Sequence, residues 1–241
     1  SNANLPADFI FENLMTQSHV INSCHEFDVE KLIFVSTNCT YPQHSTNPIS
    51  ETAILSGDLE PNVRAYAVAK IAGMEMCNSY FRQYGRNFIS VIPPNLYGLG
   101  DNFNPLNSHI IAGIMRKAHI AKTMNMPFVE VWGDGTARRE TLNVEDLANA
   151  MIHLMYSETR HQIYNVGSGR DNSVAEIAKM ICDVVGFSGE IVFDKSKPAG
   201  TKKKLLNSSR LEDLGWIPKI HLKEGLKVAY RGFLESKSFL N

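Results

Sequence analysis

Apolar positions along the chain fall into two kinds of run that alternate. Ile10, Leu14, Ile21 and Cys24 recur near one helical face between Pro6 and Cys24, which predicts an opening amphipathic helix. Lys31–Ser36 (KLIFVS) is a short apolar run ending in small polar residues, the pattern of a strand buried in a parallel sheet. Thr37–Pro61 is rich in Thr, Asn, Pro, Ser and Gly and predicts a loop. Helical spacing returns over Tyr66–Tyr84 through Ala69, Gly73, Met76, Tyr80 and Tyr84, with Gly85 placed to end the helix. Phe88–Pro93 (FISVIP) predicts a second buried strand that runs into Asn95-Leu96-Tyr97-Gly98. Helices are then expected over Ser108–Lys122, Val144–Tyr156 and Val174–Val185. Strands are expected over Phe128–Trp132, Ile163–Val166 and Ile191–Phe193, with a turn at Gly133-Asp134-Gly135 and a basic, loop-like stretch over Asp194–Lys204. Strands that alternate with helices in this way predict an α/β fold with a mainly parallel sheet.

Composition narrows the partners more than the fold. With 24 Lys+Arg against 25 Asp+Glu, the chain has no charge excess that would drive it to nucleic acid or to an acidic membrane surface. Its 241 residues allow one large domain or two small ones. No apolar run approaches the roughly 20 residues needed to span a bilayer, and no signal-peptide pattern is present. The four cysteines, Cys24, Cys39, Cys77 and Cys182, form no Cys-x-x-Cys pair, so neither a zinc motif nor a redox motif is expected. Wide spacing suits free thiols, and the expected compartment is the cytoplasm.

An α/β protein that binds a dinucleotide opens with strand, Gly-rich turn and helix. No G-x-G-x-x-G occurs in this sequence. Ser1-Asn2-Ala3 reads as a scar of tag removal, and the native sequence is expected to begin mid-protein near Asn4.

The central chemical signal is Tyr66-Ala67-Val68-Ala69-Lys70. Tyr and Lys four apart on a helix share one face. A free phenol titrates near pH 10, and a neighbouring ammonium is expected to lower that value. Such a pair passes a proton to or from a carbonyl or alcohol oxygen during hydride transfer. Alone, the spacing is more simply an amphipathic helix face. With a strand ending in Ser36-Thr37 upstream and one ending in Pro93-Pro94-Asn95-Leu96-Tyr97-Gly98 downstream, the order resembles the extended short-chain dehydrogenase/reductase family. That resemblance implies an incomplete Rossmann-type doubly wound parallel sheet plus a smaller C-terminal α/β substrate-binding domain. It implies a dinucleotide-binding remainder at residues 4–98 and about 140–167, and a nucleotide-sugar domain at about 99–139 and 168–241. It also implies that Thr37 hydrogen-bonds the substrate oxygen, that Tyr66 is the general acid/base, and that Lys70 holds the nicotinamide ribose and tunes Tyr66.

The resemblance narrows with Asn38-Cys39-Thr40-Tyr41-Pro42, Gly57-Asp58-Leu59-Glu60-Pro61, Ala67 to Gly73, Arg82-Gln83-Tyr84-Gly85-Arg86, and Asp101-Asn102-Phe103 through Asn107-Ser108-His109. Trp132-Gly133, Arg139-Glu140, Asn165-Val166-Gly167, Ser196-Lys197-Pro198 and Lys204-Leu205-Leu206 continue it. In order and spacing these look like the GDP-L-fucose synthase family. That family epimerises GDP-4-keto-6-deoxymannose at C3 and C5 and reduces C4 with NADPH. The resemblance implies NADP as cofactor and a GDP-sugar as substrate. It makes Cys39 the base and His109 the acid of epimerisation, roles that ordinary thiol and imidazole chemistry suits. Pro93, Asn95 and Leu96 would join Tyr66 and Lys70 at the cofactor. Asn95, His109, Lys117, Trp132, Arg139 and Lys204 would hold the substrate, the cations meeting its diphosphate. Asn13 would help support Lys70 through the backbone. A homodimer is implied through helices at about 8–26 and 65–84, and an unpaired sheet edge is expected to need cover.

Taken singly, Cys39 is also readable as an inert thiol, His109 as a helix-start residue, Trp132 as core, and Arg139 and Lys204 as surface charge. Cys24, Cys77 and Cys182 fall on apolar helix faces and are expected to be structural. Three positions depart from the family: Thr37-Asn38 stands for Ser-Ser, Pro94 for Thr, and Lys117 for an Arg whose bidentate contacts a Lys does not reproduce. These departures keep open a reductase-only or epimerase-only enzyme on another GDP-keto-sugar such as a GDP-heptose. A non-catalytic binding or dimerising remnant is the third reading. Without the amides of a Gly-rich turn, this chain alone is expected to turn over negligibly in NADPH-dependent reduction.

Overall fold

In a computed structural model, residues 5–197 and 201–236 are described; Ser1-Asn2-Ala3 and Pro198 of the motifs above lie outside them. In chain order the first elements are α1 (Pro6–Glu26), β1 (Lys31–Val35), α2 (Arg64–Tyr84), β2 (Asn87–Ile92), β3 (Asn95–Tyr97), α3 (Ile110–Thr123), β4 (Phe128–Trp132) and β5 (Arg138–Asn143). They are followed by α4 (Val144–Tyr156), β6 (Ile163–Asn165), β7 (Asp171–Ser173), α5 (Val174–Val185), β8 (Glu190–Asp194), β9 (Lys203–Lys204), α6 (Ser209–Glu212) and α7 (Leu222–Ser236). No described helix is long and apolar enough to cross a membrane.

The chain divides into two compact units. The first comprises residues 1–94, 147–169 and 205–217, and the second residues 95–146, 170–204 and 218–241. The first unit is built on a parallel sheet in the order β1-β2-β6. Its central strand is fully covered, as its continuous apolar run requires: Phe88, Ile89, Val91 and Ile92 are all 0% exposed. Each such side chain contributes about 1.5–3 kcal/mol by burial. Strand β1 pairs only with β2 among the described residues, and all five of its residues stay half-buried, so it forms a sheet edge. Helices α1 and α2 pack against each other and onto this sheet through Ile21, Cys77 and Phe88, with Cys24, Met76 and Tyr80 at the margin. Gly73 makes that packing possible, because a Cβ there would overlap the Phe34 ring. Helix α2 stops at Gly85, which takes the left-handed conformation at φ 69° and returns its N–H to Phe81 and Tyr80. The Lys31 ammonium donates to Leu154 O and Ser157 O at 2.6 and 2.8 Å, tying the end of α4 to the start of β1.

The second unit joins β3, β5 and β7 in one sheet, with β9 also paired to β5, and pairs β4 with β8 in another. Helices α3, α5 and α7 cover a core of Met115, Ile177, Ile181, Leu226 and Phe233. Helix α5 begins with a complete capping box between Ser173 and Glu176 and ends at Gly186, φ 75°.

Several features depart from the sequence-based expectation. The segment 205–217, expected with the C-terminal domain, belongs to the first unit. There Leu206 bridges Ile49, and Ser208 Oγ accepts from Gly167 N at 2.8 Å. Strand β5 and helix α7 were not anticipated. The strand carries charged and polar side chains (RRETLN), yet its last four residues are buried.

Candidate active site

In the first unit the candidate residues gather where β1 ends and α2 begins. Beyond Val35 the chain turns away, with Ser36 N donating to Val91 O at 2.8 Å, and forms a single 3-10 turn over Asn38–Thr40. Thr37 caps this turn: its Oγ1 accepts from Cys39 N at 3.3 Å, which leaves the hydroxyl proton to be donated elsewhere. The Thr40 hydroxyl donates back to Thr37 O at 2.7 Å. Cys39 is half-buried, and its thiol faces Asn38 Oδ1 at 3.9 Å.

Helix α2 supplies Tyr66 and Lys70 one turn apart. Tyr66 is half-buried, and its hydroxyl makes no hydrogen bond among the described residues. The Lys70 ammonium donates to Val35 O at 3.1 Å and sits 4.9 Å from the Phe34 ring centroid and 5.9 Å from that of Tyr66. Three N–H donors and one acceptor leave two for a ligand. The expected lowering of the Tyr66 titration is not seen. Burial holds this phenol above its ordinary value, and the nearby Cys39 adds to the effect. The reason is geometric: Lys70 reaches to Val35 O instead of the phenol oxygen, and burial keeps its own value below the usual lysine range.

Asn13 does not reach the α2 backbone. Its amide donates to Phe9 O on its own helix at 2.8 Å, although it lines, with Thr16, Gln17 and Lys70, a cleft of about 270 Å³ beside β1. Gln17, one turn further along α1, makes the expected link: its Nε2 donates to Ala69 O, next to Lys70. A lone Gln on the inner face of α1 was the only signal for it.

The second unit carries the remaining candidates. Asn95 and Leu96 lie in β3, opposite Thr141 and Leu142 of β5, while Pro93 sits buried just past β2 in the first unit. His109 is the N-cap residue of α3. Its exposed side chain makes no capping bond and faces the same charge environment as Asp101, whose carboxyl burial raises and His109 partly lowers. Lys117 projects from α3 onto β4, donating to Glu130 O at 3.0 Å. Its ammonium lies 5.7 Å from the ring centroid of Trp132, and that of Lys197 lies 5.9 Å away on the same ring. The indole is 57% exposed, so two cations border an open aromatic face and the core reading of Trp132 fails. Parallel pairing of β5 with β9 sets Arg139 beside Lys204, 65 positions apart in the chain by their numbers. The Arg139 guanidinium is anchored on Thr201 O at 2.6 Å and Arg138 O at 2.9 Å.

A parallel α/β sheet with Tyr and Lys one helical turn apart, beside a hydroxyl-bearing strand end, defines a Rossmann-type oxidoreductase scaffold. The model of the NAD dependent epimerase/dehydratase family matches residues 1–167, and the chain belongs to that family. It is 46% identical over 248 residues to the GDP-L-fucose synthase of Escherichia coli (strain K12), covering 98% of this chain and 77% of that protein. A solved structure of a GDP-L-fucose synthetase from Naegleria fowleri bound to NADP matches with a TM-score of 0.90 at 27% identity, over 96% of this chain and 74% of that one. A GDP-D-glycero-L-gluco-heptose synthase from Campylobacter jejuni, solved in the presence of NADPH, matches with a TM-score of 0.85 at 35% identity. That match covers 97% of this chain and 78% of that one.

Proposed function

We propose that this chain carries the catalytic side chains of a GDP-4-keto-6-deoxymannose 3,5-epimerase/4-reductase. The observation that carries the reading is the Tyr66 hydroxyl, which has no hydrogen-bond partner among the described residues, one turn from a Lys70 ammonium with two donors to spare and close to Cys39. The Tyr66 hydroxyl remains accessible to solvent, so it can meet a ligand oxygen without first breaking a bond within the protein.

Epimerisation needs a base on one face of the sugar and an acid on the other. The Cys39 thiolate removes the proton from the carbon beside the ketone, and the electron pair moves into an enolate on the C4 oxygen. Tyr66 and Thr37 donate hydrogen bonds to that oxygen. His109 returns a proton to the opposite face of the same carbon, and solvent exchange restores both groups. In the reductive step Tyr66 delivers its proton to the C4 oxygen, which its raised titration suits, since the phenol stays protonated at neutral pH. NADPH supplies the hydride to C4 when bound. The two spare Lys70 donors fit the nicotinamide ribose, whereas a Gly-rich cradle for the pyrophosphate is not found in this sequence. Trp132 flanked by Lys117, together with Arg139 beside Lys204, suits the guanosine diphosphate, aromatic face to base and cations to phosphate.

The chain pairs with a second copy through the outer faces of α1 and α2. Phe11 at 65%, Met15 at 42% and Val68 at 39% exposure support this reading. A second substrate reading, another GDP-keto-sugar such as a GDP-heptose, is favoured by Asn38, Pro94 and Lys117 together with the similarity to a heptose synthase. Calorimetry tests the nucleotide half. GDP is expected to bind without cofactor and UDP at least about tenfold more weakly, a difference of about 1.4 kcal/mol. Equal or tighter UDP binding contradicts the assignment.

A further inference from the structure

The loop that carries Cys39 is held from below by a buried polar network to which the chemistry above gives no role. Tyr41, two residues past Cys39, is 0% exposed. Its N–H donates to Asn38 O at 3.3 Å, closing the 3-10 turn, and its phenol donates to Asn165 Oδ1 at 2.7 Å. Asn165 is the last residue of β6 and is likewise 0% exposed. Every polar group of its side chain is used: beside the Tyr41 bond, its Nδ2 donates to Ile49 O and to Asn207 O, both at 2.9 Å. Its backbone N–H donates to Glu51 Oε1 at 2.9 Å, and the other oxygen of that buried carboxylate lies 3.4 Å from Arg210 Nε. Tyr41, Ile49 and Asn207 therefore meet at one carboxamide. A fully satisfied buried network has one geometry, because any shift leaves a desolvated polar atom unpaired. Between this anchor and Cys39 stands only Thr40, within the single turn Asn38–Thr40.

We propose that Tyr41, through its hydrogen bond to Asn165, is a positioning residue that sets where the Cys39 thiol stands. This rests on the reading of Cys39 as the epimerising base. Losing the phenol oxygen frees the turn to shift, and displacements near 1 Å at a reacting group cost up to about a hundredfold in rate. Burial also holds this phenol far above its ordinary titration, so it remains a neutral donor throughout the working range.

The test measures solvent deuterium entering C3 and C5 of GDP-4-keto-6-deoxymannose, a reaction that consumes no hydride. It compares the full chain with Tyr41→Phe, Cys39→Ser and Tyr80→Phe. The last removes an equally short phenol bond, Tyr80 to Asn22 Oδ1 at 2.7 Å, outside this network. Iodoacetamide alkylation of Cys39 against pH is followed in parallel as a readout that needs no substrate. In Tyr41→Phe, exchange is expected to fall by about ten- to a hundredfold in kcat with KM within about twofold, and the pH profile of Cys39 alkylation to shift. Tyr80→Phe is expected to exchange at the full rate. If Cys39→Ser is inactive while Tyr41→Phe exchanges at the full rate, or if Tyr80→Phe loses as much, the positioning role is overturned. If Cys39→Ser still exchanges, the base assignment fails and takes the inference with it.

Discussion

Two tyrosines at the carboxyl end of the same small sheet show opposite uses of burial. Tyr41 is wholly buried and its phenol is spent on Asn165, whereas Tyr66 is half-buried and its phenol makes no hydrogen bond among the described residues. Burial raises both titrations. A satisfied buried phenol contributes to stability. The Tyr66 phenol oxygen stays accessible to solvent, so it costs folding little and is free to meet a ligand. The same contrast separates Asn165, with every donor and acceptor occupied, from Lys70, with one bond to Val35 O.

The largest expected effect breaks the satisfied side. Asn165→Ala removes three side-chain hydrogen bonds and strands their partners, so urea denaturation should show a loss of about 3–4 kcal/mol. Tyr41→Phe removes one of these bonds and should lose about 1–2 kcal/mol in the same measurement. An alkaline titration sharpens the comparison. Unfolded tyrosine releases its proton near pH 10, while the folded phenols hold theirs, so this stabilisation is fully present below pH 10 and is lost as pH rises above it. Each fully held phenol should contribute a fall of about 1.4 kcal/mol per pH unit above 10, and the half-exposed Tyr66 less. The denaturation midpoint between pH 9 and 11 should therefore flatten more in Tyr41→Phe than in Tyr66→Phe. The smallest effect is the stability change of Tyr66→Phe at neutral pH, expected within about 0.5 kcal/mol because no bond is lost. A loss comparable to that of Tyr41→Phe would erase the distinction.

Much of the scaffold was legible along the chain. The periodicity over Phe128–Trp132, Val144–Tyr156 and Val174–Val185 places those elements at their observed bounds, because each buries one regular apolar face. Strand β5 was hidden because pairing on both sides, not apolar alternation, makes it a strand; Glu140 is 1% exposed in its middle. Helix α7 carries the helical signal in Leu226, Ala229 and Phe233, which recur at helical spacing and are buried, but within a stretch crowded with Lys, Glu and Arg. At the site, the spacing of Tyr66 and Lys70 is local and was visible. The direction of the Tyr66 titration was not, since it depends on where Lys70 reaches in three dimensions. The Tyr41–Asn165 bond joins positions 124 residues apart, a distance across which periodicity carries no information.

The most direct test of the proposed chemistry is the mass of GDP-4-keto-6-deoxymannose recovered after incubation with the unaltered chain in deuterated water. Cys39 and His109 acting as base and acid predict deuterium at C3 and C5, with incorporation lost in Cys39→Ser. Recovery of unlabelled sugar from the unaltered chain, while GDP binds normally, would contradict it.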